Sequence, residues 1–313
     1  ASSQYERQLR QTGQDQPTQA QLVLALLRDL EVARLLVPAD FPLRSADQLR
    51  AAGLHLETAA GPLFACRQCK TPAEVDAVRS AMQAAERSLQ VAVTTLRRAT
   101  VTAGVLLLDG APLTSERLRR QIHLSLMEQD CAAAHTIVAG GDQGCDPHQE
   151  GHGPLRAGEG IIIDVFPQSS TTGYFGDLTR TVVRGRAPAA LRDLYAAVQA
   201  AQELALGRIA AGVDGALLHQ EVQQCFQDAG YRTGEVDGHM QGFFHGTGHG
   251  VGLEIHEAPR SGRRGDVLRA GPAVTVAPGL YYPRTGAVRI EDTVVVREGG
   301  CENLTSFPKC LEV

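Results

Sequence analysis

Three histidines, His245, His249 and His256, stand four and seven residues apart in the glycine-rich run HGTGHGVGLEIHEAP. Imidazoles in such a run can bind a divalent metal or hydrogen-bond a carbonyl, and glycine spacing lets backbones approach one another or a ligand closely. The glycines from Gly246 to Gly252 have the wrong spacing for a dinucleotide fingerprint, and the run has no P-loop lysine. It is also not a helical HExxH zinc motif. Two aspartates lie upstream. Asp164 follows the apolar run Ile161–Ile163, and Asp177 sits in GYFGDLTRTVV just before a second strand-like stretch. A hairpin between these stretches would set the two carboxylates side by side, where they repel unless a cation or a proton intervenes. The bland reading is two acids in a surface turn. Glu291 lies within AVRIEDTVVV, where Val288 and Ile290 alternate with Arg289 and Glu291. An acid in a buried strand needs a partner such as a metal; on a one-sided sheet it would face solvent beside Arg289.

The elements that must hold these residues are legible as patterns. Thr71, Pro72 and Glu74 form a helix start with a capping box. Val75, Val78, Met82, Leu89, Val93 and Leu96 then recur on one helical face. A second helix follows Thr114, with Leu118, Ile122 and Leu126 inward, and helical patterns span 189–210 and 215–229. GIIIDVFP, LTRTVVRG, AVTVAPGLYY and AVRIEDTVVVRE read as strands. Helices followed by antiparallel strands, twice, predict an α+β domain over 70–313. Ahead of it, a small α/β unit covers 1–69, with residues 1–20, polar and Gln-rich, expected as a flexible or partner-stabilised arm and CRQCKTP as a connector.

The charged residues, 30 basic against 35 acidic and well mixed, give a net charge of −5 and exclude a basic nucleic-acid surface. No apolar run is long enough to span a membrane, and the start of the chain carries no apolar signal core, so a cytoplasmic protein is expected. Seven cysteines, an odd number, favour free thiols. Cys66 and Cys69 have zinc spacing but no second pair to complete a ribbon. The small first unit and its arm are the expected surface of a homodimer.

HGTGHGVGLEIHEAP, DVFPQSSTTGYFGDLTRTVV and PGLYYPRTGAVRIEDTVVV together resemble the pita-bread metallopeptidases, which include prolidase, aminopeptidase P, methionine aminopeptidase and creatinase. The resemblance spans about 70–313 and is strongest to the Xaa-Pro peptidase branch. It implies a pita-bread catalytic domain behind a reduced creatinase-like N-terminal domain, a divalent-metal centre of one or two ions, zinc or manganese, and a short peptide as substrate. Carried over by position, the metal ligands are Asp164, Asp177, His249 and Glu291, with two more residues than usual between the aspartates. His148 resembles the substrate-side histidine, His245 and His256 the pair that steadies the scissile carbonyl, and Arg289 the arginine directed at a substrate carboxylate. One position departs from the pattern. The family reads T-x-E-P-G where this chain has Thr275-Val276-Ala277-Pro278-Gly279. The absent glutamate would ligate the histidine-side metal and handle the proton of the attacking water. Its loss leaves three alternatives open: a one-metal peptidase with another base (Glu254, Glu257 or His148), including one that acts as a carboxypeptidase; an engineered inactive form; or a non-catalytic peptide-binding homologue.

Overall fold

The structure is a computed structural model that describes residues 2–13 and 15–313. The chain divides into two compact units, Ala1–Cys66 and Arg67–Val313. The first begins with helix α1 (Ser2–Gln11), in the stretch expected as an arm. Its Arg, Glu and Gln residues are good helix formers, and a Glu6–Arg10 pair at 2.6 Å joins successive turns. Helix α2 (Gln19–Asp29) starts from a Thr18/Gln21 capping box. Strand β1 (Arg34–Val37), helix α3 (Leu43–Ala51) and strand β2 (His55–Thr58) form a β-α-β unit with β1 and β2 parallel. Leu27, Val37, Ala46 and Leu49 are its buried apolar side chains.

The second unit opens on the 27-residue helix α4 (Pro72–Arg98), capped by Thr71 and Glu74 as the sequence indicates. Helix α5 (Ser115–Met127) follows its own Thr114 cap. Both pack on a three-stranded antiparallel sheet of β3 (Ile137–Gly140), β4 (Ile161–Val165) and β5 (Leu178–Val182), with β4 in the centre. Met82, Leu89, Leu96, Leu118, Ile122 and Leu126 fill the layer between helices and strands.

Helices α6 (Ala189–Arg208) and α7 (Gly215–Asp228) cover a second antiparallel system. It contains β6 (Gly248–Gly250), β7 (Glu257–Ser261), β8 (Ala273–Val276), hairpin β9 (Gly279–Tyr282) and β10 (Gly286–Arg289), then β11 (Asp292–Arg297) and β12 (Gly300–Asn303). Leu194, Val198, Val222, Phe226 and Phe243 pack beneath it. AVTVAPGLYY and AVRIEDTVVVRE each read as one strand, yet each is broken into two. Pro278 cannot donate to a ladder. The break at Ala277–Pro278 lies opposite the break at Ile290–Glu291, since Val276 pairs with Asp292 and Gly279 with Arg289. Paired breaks turn both chains from one sheet into another at the position where Glu291 is needed. All seven cysteines are free thiols. Among the described residues, no helix is long and apolar enough to cross a membrane.

Candidate metal centre

Each candidate side chain reaches the site through a specific backbone device. Strands β4 and β5 form the anticipated hairpin, with Thr179 opposite Asp164 and Leu178 opposite Val165. Asp177, one residue before β5, therefore falls on the same face as Asp164, one step along. Its own N–H contacts Met82 Sδ at 3.1 Å, which ties this turn to α4. Glu291 bridges to β5 through its N–H, which donates to Thr179 O at 3.0 Å. Thr179 Oγ1 donates to Glu291 Oε2 at 2.7 Å.

The glycines around His249 have a steric cause. A Cβ at Gly248 would stand 1.9 Å from Thr275 O, and one at Gly250 would stand 2.4 Å from Ala258 O. No side chain fits at either position, so β6 lies in close contact with its neighbours and only His249 projects. Its Nδ1 is 3.1 Å from Gly250 O. A carbonyl can only accept, so Nδ1 carries the proton and Nε2 keeps its lone pair. That lone pair faces Asp177 Oδ2 at 3.6 Å.

Asp177, His249 and Glu291 each bring a ligand atom within 4.8 Å of the others. They lie at the base of a cleft of about 810 Å³, whose walls include His148, Asp164, His245, His256, Ala277 and Arg289. The acids are buried, with Asp177 at 4 % and Glu291 at 4 % exposure. Burial, then the charges of Glu291 and Asp164, push the Asp177 carboxyl well above the usual range. Burial and then Asp164 push Glu291 up to about 7. Burial, and then His256, bring His249 down to about 4, which keeps its imidazole neutral. Crowded carboxylates beside a neutral imidazole with a free lone pair are the donor set of a divalent cation, which would reverse these carboxylate shifts. Asp164 Oδ1 is buried without a hydrogen-bond partner, a further donor atom open to a cation. The residues fit a metal.

The remaining candidates are arranged less simply. Arg289 Nη2 donates to Asp164 Oδ2 at 2.6 Å, and its Nη1 donates to Tyr281 OH and Pro147 O, each at 3.2 Å. The arginine expected to meet substrate is thus buried and bonded to protein. Asp164 lies beside the three-residue group but is paired with this guanidinium. His245 Nδ1–H donates to Gly246 O at 2.8 Å, so its Nε2 accepts from Tyr281 OH at 2.7 Å. Burial and the Arg289 charge lower His245 to about 3. Both of its nitrogens are engaged, so it offers no N–H to the cleft in this arrangement. His256 is exposed and packs edge-on against His249 with ring centroids 4.4 Å apart. His148 is exposed on the cleft wall. Glu257 is paired with Lys70 at 3.0 Å and Arg67 at 2.8 Å, and Glu254 with Arg67 at 3.3 Å. Neither acid lines the cleft and both are engaged by basic partners, so neither is placed as a base in this arrangement. Tyr281 and the cleft-lining Arg260, Arg263 and Arg264 are absent from the sequence reading. Register finds Arg260, because it pairs with His249 across β6 and β7.

Residues 76–298 match the model of metallopeptidase family M24. The chain is 30 % identical over 241 residues to an Xaa-Pro dipeptidase of Pyrococcus furiosus, covering 76 % of this chain and 63 % of that protein. It is 36 % identical over 182 residues to an uncharacterized peptidase of Bacillus subtilis, covering 58 % of this chain and 49 % of that one. The chain thus spans between about half and two thirds of the length of these relatives. The structure of an Xaa-Pro dipeptidase from Bacillus anthracis superposes with a TM-score of 0.80 at 27 % identity, covering 93 % of this chain and 78 % of that one. An X-Pro aminopeptidase from Thermotoga maritima shares the fold, with a TM-score of 0.80 at 24 % identity over 96 % of this chain and 81 % of that one. The arrangement of two sheets around the cleft, each covered by a pair of helices, is the pita-bread fold, with a small α/β domain ahead of it in sequence, and the chain belongs to metallopeptidase family M24.

Proposed function

We propose that this chain binds one divalent cation at Asp177, His249 and Glu291 and acts there on a terminal peptide bond, with Xaa-Pro peptides as the substrate class. The observation that carries this reading is the convergence of those three side chains at the base of the cleft. The neutral, correctly oriented His249 and the crowded carboxylates support zinc or manganese. The names of the relatives support the Xaa-Pro class. A cation held there supplies Lewis-acid polarisation of a carbonyl and a water of lowered pKa.

The chain's own side chains do the rest. Thr179 donates to Glu291 Oε2 and so orients this carboxylate toward the group. His256, exposed on the wall beside His249, is the imidazole available to hydrogen-bond a substrate carbonyl. His148 serves the leaving segment. The Arg289–Tyr281–His245 chain sets the wall and holds Asp164 rather than meeting substrate. Asp164 in this state favours a single-ion centre over a pair.

Ala277 lies in the cleft wall, across the paired strand break from Glu291. A glutamate at 277 would place its carboxylate in the same cavity, and a methyl group neither ligates nor moves a proton. The test is turnover of Xaa-Pro dipeptides, longer Xaa-Pro peptides and peptides varied at the C-terminus, by this chain and by Ala277→Glu, with Zn²⁺ or Mn²⁺. The expected result is cleavage of Xaa-Pro substrates that rises at least ~100-fold in Ala277→Glu, the scale on which an essential acid–base group acts. No cleavage by either protein would contradict the reading and leave a peptide-binding homologue.

A further inference from the structure

The charged groups of the cleft are unevenly placed. Its floor carries Asp177 and Glu291, with Asp164 paired to Arg289. Arg260, Arg263 and Arg264 also line the cleft, all three are exposed, and none forms an ion pair among the described residues. Glu150, the other acid of the wall, is bonded to His135 Nδ1 at 2.8 Å. Three guanidiniums within five residues repel one another until an anion joins them.

The segment that carries them is rigidly held. Asp266 is the nearby acid in sequence, but its Oδ2 accepts from Arg260 N–H at 2.8 Å, so it caps the backbone. Asp266 N–H returns a bond to Arg260 O at 2.8 Å, closing the turn. Gly215 N–H donates to Asp266 O at 2.9 Å, and Thr247 N–H to Ser261 O at 2.7 Å. A Cβ at Gly265 would stand 2.1 Å from Ala216 N, so the turn lies directly on the start of α7. The turn is therefore braced from two sides while its arginine heads stay uncommitted. Arg260 projects beside His249, its register partner.

We propose that Arg260, Arg263 and Arg264 form an anion-reading rim that selects peptides with an acidic side chain on the carboxyl side of the scissile bond, in addition to the terminal carboxylate. The inference rests on the reading that the cleft binds peptides. A terminal carboxylate occupies one planar fork; three forks have capacity for a second carboxylate. The net charge of −5 makes a nucleic-acid ligand the weaker match.

The experiment is isothermal titration of the full chain with Ala-Pro-Glu and Ala-Pro-Gln, each carrying a reduced, uncleavable Ala–Pro bond. The expected result is roughly tenfold tighter binding of the Glu peptide, a gap that narrows as salt is raised. In the Arg263→Met/Arg264→Met variant the two peptides should bind alike, with the melting temperature unchanged. Arg263→Lys/Arg264→Lys should keep part of the gap, because it keeps the charge but loses the fork. Equal binding of the two peptides by the parent chain, or an undiminished gap in the Met variant, would overturn the proposal while leaving peptide binding intact. Binding of no peptide at all would overturn it together with the functional reading beneath it. Tighter binding of a short single-stranded oligonucleotide than of either peptide would overturn it in favour of a different ligand class.

Discussion

At the residue scale, the burial of charge decides what the centre can do. The Glu291 carboxyl, pushed up to about 7 by burial and by Asp164, binds a proton in the folded state that it releases near 4.5 when unfolded. Stability from this group is fully present below the unfolded value and is lost as pH rises through about 7. The metal-free chain is therefore predicted to melt at progressively lower temperature between pH 5 and 8, and Glu291→Gln should flatten that slope. A saturating divalent cation should remove it too, because the cation takes the place of the proton. Thermal melts across that range, with and without chelator, check both points; a flat profile for the chelated parent chain would mean that the acids are solvated. The identities of Asp164, Asp177, His249 and Glu291 as candidates were legible because their types and order carry the family resemblance. The engagement of Arg289 and His245 was not. Tyr281, 36 positions from His245 in sequence, closes both contacts, and no local pattern announces a hydrogen bond across that separation.

At the element scale, glycine is a spacing device in this protein. Strand β6 can lie between β7 and β8 only because Gly248 and Gly250 carry no side chain. Gly248→Ala would drive a methyl group into Thr275 O, a backbone atom that cannot step aside. It is predicted to lower stability by roughly 1–3 kcal/mol, as overpacking of a tight interior does, and to weaken metal binding because His249 moves with its strand. Denaturant unfolding and metal titration of the same variant check this; wild-type stability with normal affinity would show that the strand has slack. The starts and inward faces of helices α4 and α5 were readable because their caps and apolar periodicity are local signals. The strand breaks at 277–278 and 290–291 were not read, because periodicity describes one strand at a time. Only the pairing of Val276 with Asp292 and of Gly279 with Arg289 shows that the breaks coincide. The N-terminal arm was misjudged for another reason: polarity argues against burial, but not against a helix of Gln, Arg and Glu joined by an i,i+4 pair.

At the scale of the whole molecule, two helix-covered sheets converge on one cleft, and each contributes part of the candidate centre. Asp177 comes from the turn before β5, while His249 and Glu291 come from the second system. The centre therefore requires both halves to be folded, and a cation bound there is linked to global stability; at a hundredfold excess over its Kd it adds about 2.7 kcal/mol. The antiparallel α+β class followed from the alternation of helical and strand patterns, whereas which sheet faced which was beyond any one-dimensional pattern. The decisive measurement is the stoichiometry of Zn²⁺ or Mn²⁺ on the metal-stripped chain, read by calorimetry and by elemental analysis after dialysis. A centre built on Asp177, His249 and Glu291 should hold one ion per chain and lose it in His249→Ala. Two tightly held ions, or none, would contradict that centre.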